Sequence, residues 1–384
     1  MNHLIVNKIG GSILKSANQL KSTAATILAK QANSIIVVSA LYGVTDRLIN
    51  TLKPESHNNE LIDELKNTHI QWLAESPYFK NLNDSINKLQ QIFHQLETHI
   101  TQYKLTENQY AYAKVVSAGE RLAAVIISHY FNGAAEVLFP ETIELLTTNN
   151  AINSRFIKNE SIHNNLDFNQ SKAFIVPGFY GINKSGDYCL TGRGGSDYTA
   201  AFLASELNAN ELIFWKESNG IQTANPEIVP NAENVANINL HVLDQMSQAG
   251  SKILHPKVTY TLTNFSGNIS FRNPLFGDQI LTQIHTKKNT SGKAIIIDTS
   301  APENNKKCTI SIITRNKTAA LIAIQQLKNI FNGIQILNIS EYKVTFQTRI
   351  KNKSQVIKKL HDSFYLQRVL PLQREYVATQ ALTL

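Results

Sequence analysis

Hydrophobic positions along the chain alternate between two periods. His3–Asn7 is short and β-prone, Gly10 and Gly11 interrupt it, and Leu20, Ala24, Ile27 and Leu28 recur at helical spacing within Ser16–Gln31. Ser34–Ala40 is a continuous apolar run between polar residues, the pattern of a strand buried on both faces. Strand, helix and strand in close succession predict a βαβ unit and a parallel sheet. Residues 52–110 are polar, with Leu61, Leu65 and Ile70, then Ile86, Leu89, Ile92, Phe93 and Leu96 at helical spacing. They predict a helical insertion that serves as a dimer-forming pair, a lid or a packing layer.

The α/β alternation then resumes. A helix is expected within Val115–Tyr130, a short strand from Val137 and a strand at Ala173–Val176 ended by Pro177-Gly178. A helix at Ser196–Leu207, a strand at Glu211–Trp215, a helix at Val242–Ala249 and a strand from Asn268 follow. Residues 286–306 are polar apart from Ala294–Ile297 and read as a linker between domains 1–285 and 307–384. The last stretch reads strand (Thr309–Ile313), helix (Ala319–Phe331), strand (Ile334–Ile339), strand (Tyr342–Thr348), helix (Ser354–Phe364), strand (Gln367–Leu370). This is the βαββαβ order of a small ferredoxin-like α+β module.

Composition narrows the class. The chain has 384 residues, 42% of them hydrophobic, enough to bury a core without staples. Two cysteines, Cys189 and Cys308, leave no material for a disulfide framework or a multi-cysteine zinc module. No run of about 18 apolar residues would span a membrane, and the N-terminal apolar run is too short for a signal peptide, so a cytoplasmic setting is expected. The net charge of +8 raises the question of a nucleic-acid partner. The lysines do not gather into a basic run with interleaved aromatics, and the densest group, Lys351, Lys353, Lys358 and Lys359, reads as the solvated side of a helix. Neither nucleic acid nor membrane is expected, while the charge favours a phosphorylated ligand. The histidines show no metal-ligand spacing, no protein metal ligand is expected, and His255 reads as structural.

Four segments carry candidate chemistry. Lys8-Ile9-Gly10-Gly11-Ser12 follows the first strand. Its glycines let backbone N–H groups approach a phosphate, the following helix adds its dipole, and Lys8 adds a mobile charge. A simple turn is the plainer alternative. In Leu190–Thr199, Arg193 can fork a carboxylate, and Asp197, with Ser196, either organises a site or caps a helix. Ser39 and Thr45 lie at the C-terminal end of the second strand, where hydroxyls hold polar substrates or cap the next helix with Asp46. Glu120 offers a carboxylate to an ammonium group, or partners a helix dipole.

In order, KIGGS (8–12), VVSALYGVTDRL (37–48), SAGERLAA (117–124), PGFYG (177–181), TGRGGSDYTA (191–200), WKESNGIQTANP (215–226) and GSKILHP (250–256) resemble the aspartate kinases of the amino acid kinase superfamily. The resemblance covers roughly residues 3–284. It implies a parallel α/β/α sandwich and transfer of the γ-phosphoryl of MgATP to the side-chain carboxylate of L-aspartate, so ATP and Mg2+ are the expected cofactors. It implies Lys8 and Asp197 as catalytic residues and Ser39, Thr45, Glu120, Phe179, Arg193, Ser196 and Asp197 around the substrate. Lys8, Gly10, Gly11, Ser12, Lys216, Glu217, Gln222 and Lys252 fall on the nucleotide side. The βαββαβ module resembles the family's ACT regulatory domain, which implies a homodimer or higher homo-oligomer. The Thr314–Lys317 turn is its candidate effector loop.

The sequence departs from the family on the nucleotide side. Where the family usually reads Trp-Thr-Asp-Val-Asp-Gly-Val-Tyr-Thr-Ala-Asp-Pro-Arg, this chain has Lys216-Glu217, Asn219, Gln222, Asn225 and Glu227. A carboxylate replacing a cation near phosphates weakens nucleotide binding unless Lys216 compensates. Two further readings follow: a non-catalytic amino-acid-binding paralogue acting through its ACT-like module, and a related carboxylate kinase with altered nucleotide use.

Overall fold

The computed structural model describes residues 3–30, 32–54, 58–168, 173–286, 294–299, 307–314 and 317–365. The chain forms two compact units, 1–218 with 260–283, and 219–259 with 284–384. Through the first unit run β1 (Leu4–Ile9), α1 (Ala17–Ala29), β2 (Asn33–Val38), α2 (Val44–Thr51), α3 (Asn58–Ala74), α4 (Leu82–Thr106) and α5 (Gln109–Tyr130). There follow β3 (Glu136–Val137), α6 (Ser161–Asn165), β4 (Ala173–Pro177), β5 (Tyr180–Ile182), β6 (Tyr188–Leu190), α7 (Gly195–Glu206) and β7 (Glu211–Trp215). After β8 (Asn237–Asn239), α8 (Leu240–Gln248) and α9 (Pro256–Thr261) come β9 (Asn268–Arg272) and β10 (Ile280–His285). The chain ends with β11 (Ile295–Thr299), β12 (Lys307–Ile313), α10 (Lys317–Ile330), β13 (Gln335–Ile339), β14 (Lys343–Arg349) and α11 (Lys353–Tyr365).

In the first unit the strands lie in the order β3-β4-β2-β1-β7-β9, all paired in parallel. Their central members are apolar on both faces because helices cover both faces. Ile5, Ile9, Ile36, Val38, Ile213 and Trp215 join one core with Leu20 and Ile27 of α1 and Val116 and Ala123 of α5. The alternate residues Val6, Ile35, Val37 and Phe214 are equally buried on the other face, where α7 packs across β1, β2 and β7. This is the expected α/β/α sandwich. Asn7 interrupts the apolar face of β1, and its Oδ1 accepts the Trp215 indole N–H at 3.0 Å. The chain order reverses between β1 and β7, so their C-terminal ends open a crevice at a topological switch point.

The expected insertion is helical, and it forms a packing layer. Leu89, Ile92, Phe93, Leu96 and Ile100 of α4 join the core of the sheet beside α5. On α3 the inward stripe is Ile62, Leu65, His69 and Leu73, steps of three and four residues, so the expected Ile70 is left 47% exposed. A β5–β6 hairpin was not anticipated. Arg121 of α5 ties it down: the guanidinium donates to the hydroxyls of Tyr180 (3.0 Å) and Tyr188 (2.8 Å), pairs with Glu141 and lies 4.1 Å over the Phe139 ring.

Several local expectations are corrected. β1 runs through Ile9, so Lys8 lies on the strand and not after it. Helix α2 is preceded by Gly43 at φ 76°, with no capping bond from Thr45 or Asp46. Helix α5 begins at Gln109, where the Asn108 side chain accepts the Tyr110 and Ala111 N–H groups. Glu120 is therefore about three turns inside the helix and is no partner of its N-terminal dipole.

In the second unit β11-β12-β14-β13 form an antiparallel sheet, and helices α10 and α11 pack together on β14 and β11. From β12 to α11 the order is the expected one, and the final strand Gln367–Leu370 lies outside the described residues. Strand β11 lies inside the expected linker: the apolar piece Ala294–Ile297 is buried and pairs beside β12. Residues 219–259 also differ from the expected partition at 285. Ala224 and Val229 join the core of Ile296, Ile310 and Val344, and the Thr223 carbonyl accepts the Ile296 N–H at 2.8 Å.

Gly119 lets α5 pack closely against the loop after β2. A Cβ there would lie 2.9 Å from the Ala40 Cβ and 3.2 Å from Leu48 Cδ1. Alanine gains up to ~1 kcal/mol of helix propensity but overpacks the site by about 1–3 kcal/mol. Gly119→Ala is expected to lower the melting temperature; an unchanged melt would show that the Ala40 loop yields freely.

Candidate active site

The C-terminal ends of β1, β2 and β4 and the start of α7 surround one cleft of about 220 Å³. It is lined by Lys8, Ser39, Thr45, Glu120, Phe179 and the Gly192–Asp197 turn. Every substrate-side residue expected from the sequence thus faces the same space. They arrive from several elements, and the alternation of a strand places Lys8 among them. Ile5, Asn7 and Ile9 take one face of β1, so Lys8 points to the other, toward α7.

There it meets Asp197. Lys8 Nζ lies 2.6 Å from Asp197 Oδ1, and Lys216 Nζ lies 3.8 Å from Oδ2. Helix α7 starts after Gly194, a left-handed residue at φ 72°, with no side-chain capping bond. Asp197 therefore does not cap the helix; its carboxylate is turned onto two lysines. Burial alone would raise that carboxyl, but the ammonium groups of Lys8 and Lys216 outweigh it and hold it below the usual carboxylate range. Burial likewise pulls Lys216 below the usual lysine range, opposed by Asp197 and reinforced by Lys8.

Gly10 lies directly beside this pair. A Cβ on it would be 3.2 Å from Lys8 Nζ and 3.6 Å from the Trp215 carbonyl. A side chain there would crowd the ammonium group. The expected help from the α1 dipole is absent, because Ile13–Lys15 forms a separate 3-10 turn and Ser16 is extended before α1 begins. Ser12 Oγ accepts the Glu217 N–H at 3.4 Å, and the Glu217 carboxylate is engaged by Lys15 and Gln19 at the protein surface. Gln222 and Lys252 belong to the second compact unit.

Glu120 is 4% exposed, and its Oε2 has no hydrogen-bond partner. Burial pushes its carboxyl up to about 8, against the Ala40 backbone N–H and the Lys8 charge. Arg193 is exposed along the cleft. Phe179 adopts φ 74°, a strained conformation for an aromatic residue. Its N–H donates to Thr199 Oγ1 at 3.1 Å, and its carbonyl accepts the Thr191 N–H and hydroxyl at 2.8 and 3.0 Å. The Arg121, Glu141, Tyr180 and Tyr188 cluster behind this loop escaped the sequence reading, since no spacing links residues so far apart. Among the described residues no group of three His, Cys, Asp or Glu side chains could hold a metal ion, and both Asp197 oxygens face ammonium groups.

The sequence profile of the amino acid kinase family matches residues 3–271. The chain belongs to the amino acid kinase family. The aspartokinase of Rickettsia felis is 26% identical over 363 residues, covering 92% of this chain and 75% of that relative. Among solved structures, E. coli aspartokinase III in complex with aspartate and ADP (R-state) superposes with a TM-score of 0.79 at 16% identity, covering 94% of this chain and 100% of that one. The same enzyme in complex with lysine and aspartate (T-state) gives 0.78, with 94% and 99% covered. The likeness to these structures thus reaches beyond the family match into the ACT-like C-terminal module. No described helix is long and apolar enough to cross a membrane.

The raised Glu120 carboxyl has a sign that can be tested. Between its ordinary value of 4.5 and about 8 the folded state binds more protons than the unfolded one, so this group lowers stability as pH rises. Glu120→Gln removes that loss. Its melting temperature relative to the parent is expected to climb from pH 4.5 to about 8 and then level off. A difference that is flat with pH would mean the carboxyl is not perturbed.

Proposed function

We propose that this amino acid kinase is an aspartate kinase, transferring the γ-phosphoryl of MgATP to the β-carboxylate of L-aspartate to give 4-phospho-L-aspartate. The carrying observation is that one cleft collects charges complementary to an amino acid beside a phosphate turn and a buried lysine. Arg193 forks the α-carboxylate, Glu120 takes the α-ammonium, and the hydroxyls of Ser39, Thr45 and Ser196 orient the side chain. The acceptor is already a carboxylate at neutral pH, so no general base is required. Catalysis is positioning and charge neutralisation, with Lys8 at the phosphoryl oxygens and Asp197 fixing Lys8. Mg2+ enters with ATP, held mainly by phosphate oxygens.

The product would feed synthesis of lysine, threonine, methionine and diaminopimelate. The ACT-like module would mediate homo-oligomerisation. Two buried cysteines with no disulfide between them accord with a reducing cytoplasm.

Purified protein with MgATP, L-aspartate and hydroxylamine is expected to form aspartyl hydroxamate, and with L-glutamate none. No product, with aspartate binding intact by calorimetry, would favour a non-catalytic amino-acid-binding protein. Arg193→Ala is expected to raise the KM for aspartate about 10–100-fold through loss of a charged hydrogen-bond pair; an unchanged KM would assign this arginine to another ligand. Burial raises the Glu120 carboxyl to about 8 and an ammonium group beside it would lower it again, so aspartate binding at pH 7 is expected to release a proton. Calorimetry in buffers of different ionisation enthalpy measures this. A binding enthalpy independent of buffer would remove Glu120 from the ammonium site.

A further inference from the structure

Lys8 is already engaged by Asp197, and the two charges cancel. Lys8 still donates to the transferring phosphoryl group, but as a pair with Asp197 it adds no net charge to balance the negative oxygens of the transition state. Lys216 changes that balance. It directly follows β7, and the register that pairs Lys8 with Phe214 and Ile9 with Trp215 continues to bring Lys216 beside Gly10. Strand alternation sends Phe214 and Lys216 to the face where Lys8 points. The Lys216 ammonium lies 3.8 Å from Asp197 Oδ2 and 5.1 Å from the centre of the Phe271 ring, 20% exposed. Each oxygen of one carboxylate thus faces one ammonium group, and two lysines less one aspartate leave a net charge of +1. Besides Lys8 and Asp197, the ionisable groups that line the cleft are Glu120 from α5 and Arg193 from the turn before α7.

We propose that Lys216 is a second phosphoryl-site lysine, supplying the excess positive charge that meets the γ-phosphoryl group while Asp197 holds the two ammonium groups in place. The inference rests on the aspartate kinase reading for the acceptor but not for the nucleotide. In the transfer, the bond from γ-phosphorus to the β,γ-bridging oxygen breaks, and its electron pair stays with ADP. A bond forms to the acceptor carboxylate oxygen, and Lys216 stays protonated throughout. The competing explanation is that Lys216 only buttresses Asp197.

Lys216→Met keeps the aliphatic stem over Phe271 and removes the charge; Lys216→Arg keeps a charge. The expected result is a fall in kcat of about 10²-fold for Lys216→Met, the size seen when one preorganised donor is lost. Its KM for aspartate should stay within about 2-fold, and Lys216→Arg should recover part of kcat. A folded Lys216→Met enzyme with parental kcat, or a KM effect alone, overturns the proposal. A second measurement uses the parent protein and no acceptor. Acetic anhydride labelling read by peptide mass spectrometry should show Lys8 and Lys216 protected by MgATP, and exposed lysines such as Lys15 unchanged. Labelling of Lys216 that ignores MgATP overturns the proposal even if Lys216→Met does not fold. Protection without aspartyl hydroxamate overturns the choice of acceptor and leaves this inference standing.

Discussion

The buried contact between Lys8 and Asp197 is the constraint on which the rest of the site depends. Taking two charges out of water costs several kcal/mol per ion before their attraction repays it, and only close geometry makes the exchange favourable. Here the distance is 2.6 Å and a second ammonium group stands on the far oxygen. That geometry requires β1 and α7 to be placed to within a fraction of an ångström. The parallel sheet does this: β1 is central, flanked by β2 and β7, and α7 rests on all three. A site at a sheet switch point is thus also where the fold is most constrained.

Around that pair the protein accepts local costs. Phe179 is held at positive φ by bonds from Thr191 and Thr199, and Glu120 is buried with one oxygen unpaired. Such features persist only where the surroundings over-determine them. The surroundings here are the β5–β6 hairpin, locked to α5 through Arg121, Glu141 and two tyrosines. The hairpin connects Phe179 to the Gly192–Asp197 turn, so a cluster outside the cleft steadies two segments that line it. An unpaired carboxylate oxygen in an amino acid kinase cleft then has a natural complement in an ammonium group.

Charge also explains the altered nucleotide segment. Lys216-Glu217 stands where the family usually has Thr-Asp. The two new side chains separate: Lys216 turns inward to Asp197, while Glu217 turns outward to Lys15 and Gln19. The added carboxylate is therefore balanced at the surface, and the added ammonium sits beside Asp197.

Strong periodicity and turn residues were enough to read most elements from the sequence. Glu211–Trp215 is a strand with the expected ends, and the order from β12 to α11 follows the apolar pattern, because burial on one or two faces imposes its period directly. The ordered motifs likewise marked Lys8, Glu120, Arg193 and Asp197, since the chemistry of each is carried by residue type. Other features depend on partners distant in the chain. The apolar stub Ala294–Ile297 reads as a linker until β12 lies beside it, and residues 219–259 reveal their unit only through the Ala224 and Val229 contacts. Asp197 is a plausible helix cap in sequence, and only the packing of α7 on β1 turns its carboxylate toward Lys8 and Lys216 instead. Local pattern determined the elements and the chemical inventory; the tertiary structure decided which charges face one another, because electrostatic partnership depends on distance in space.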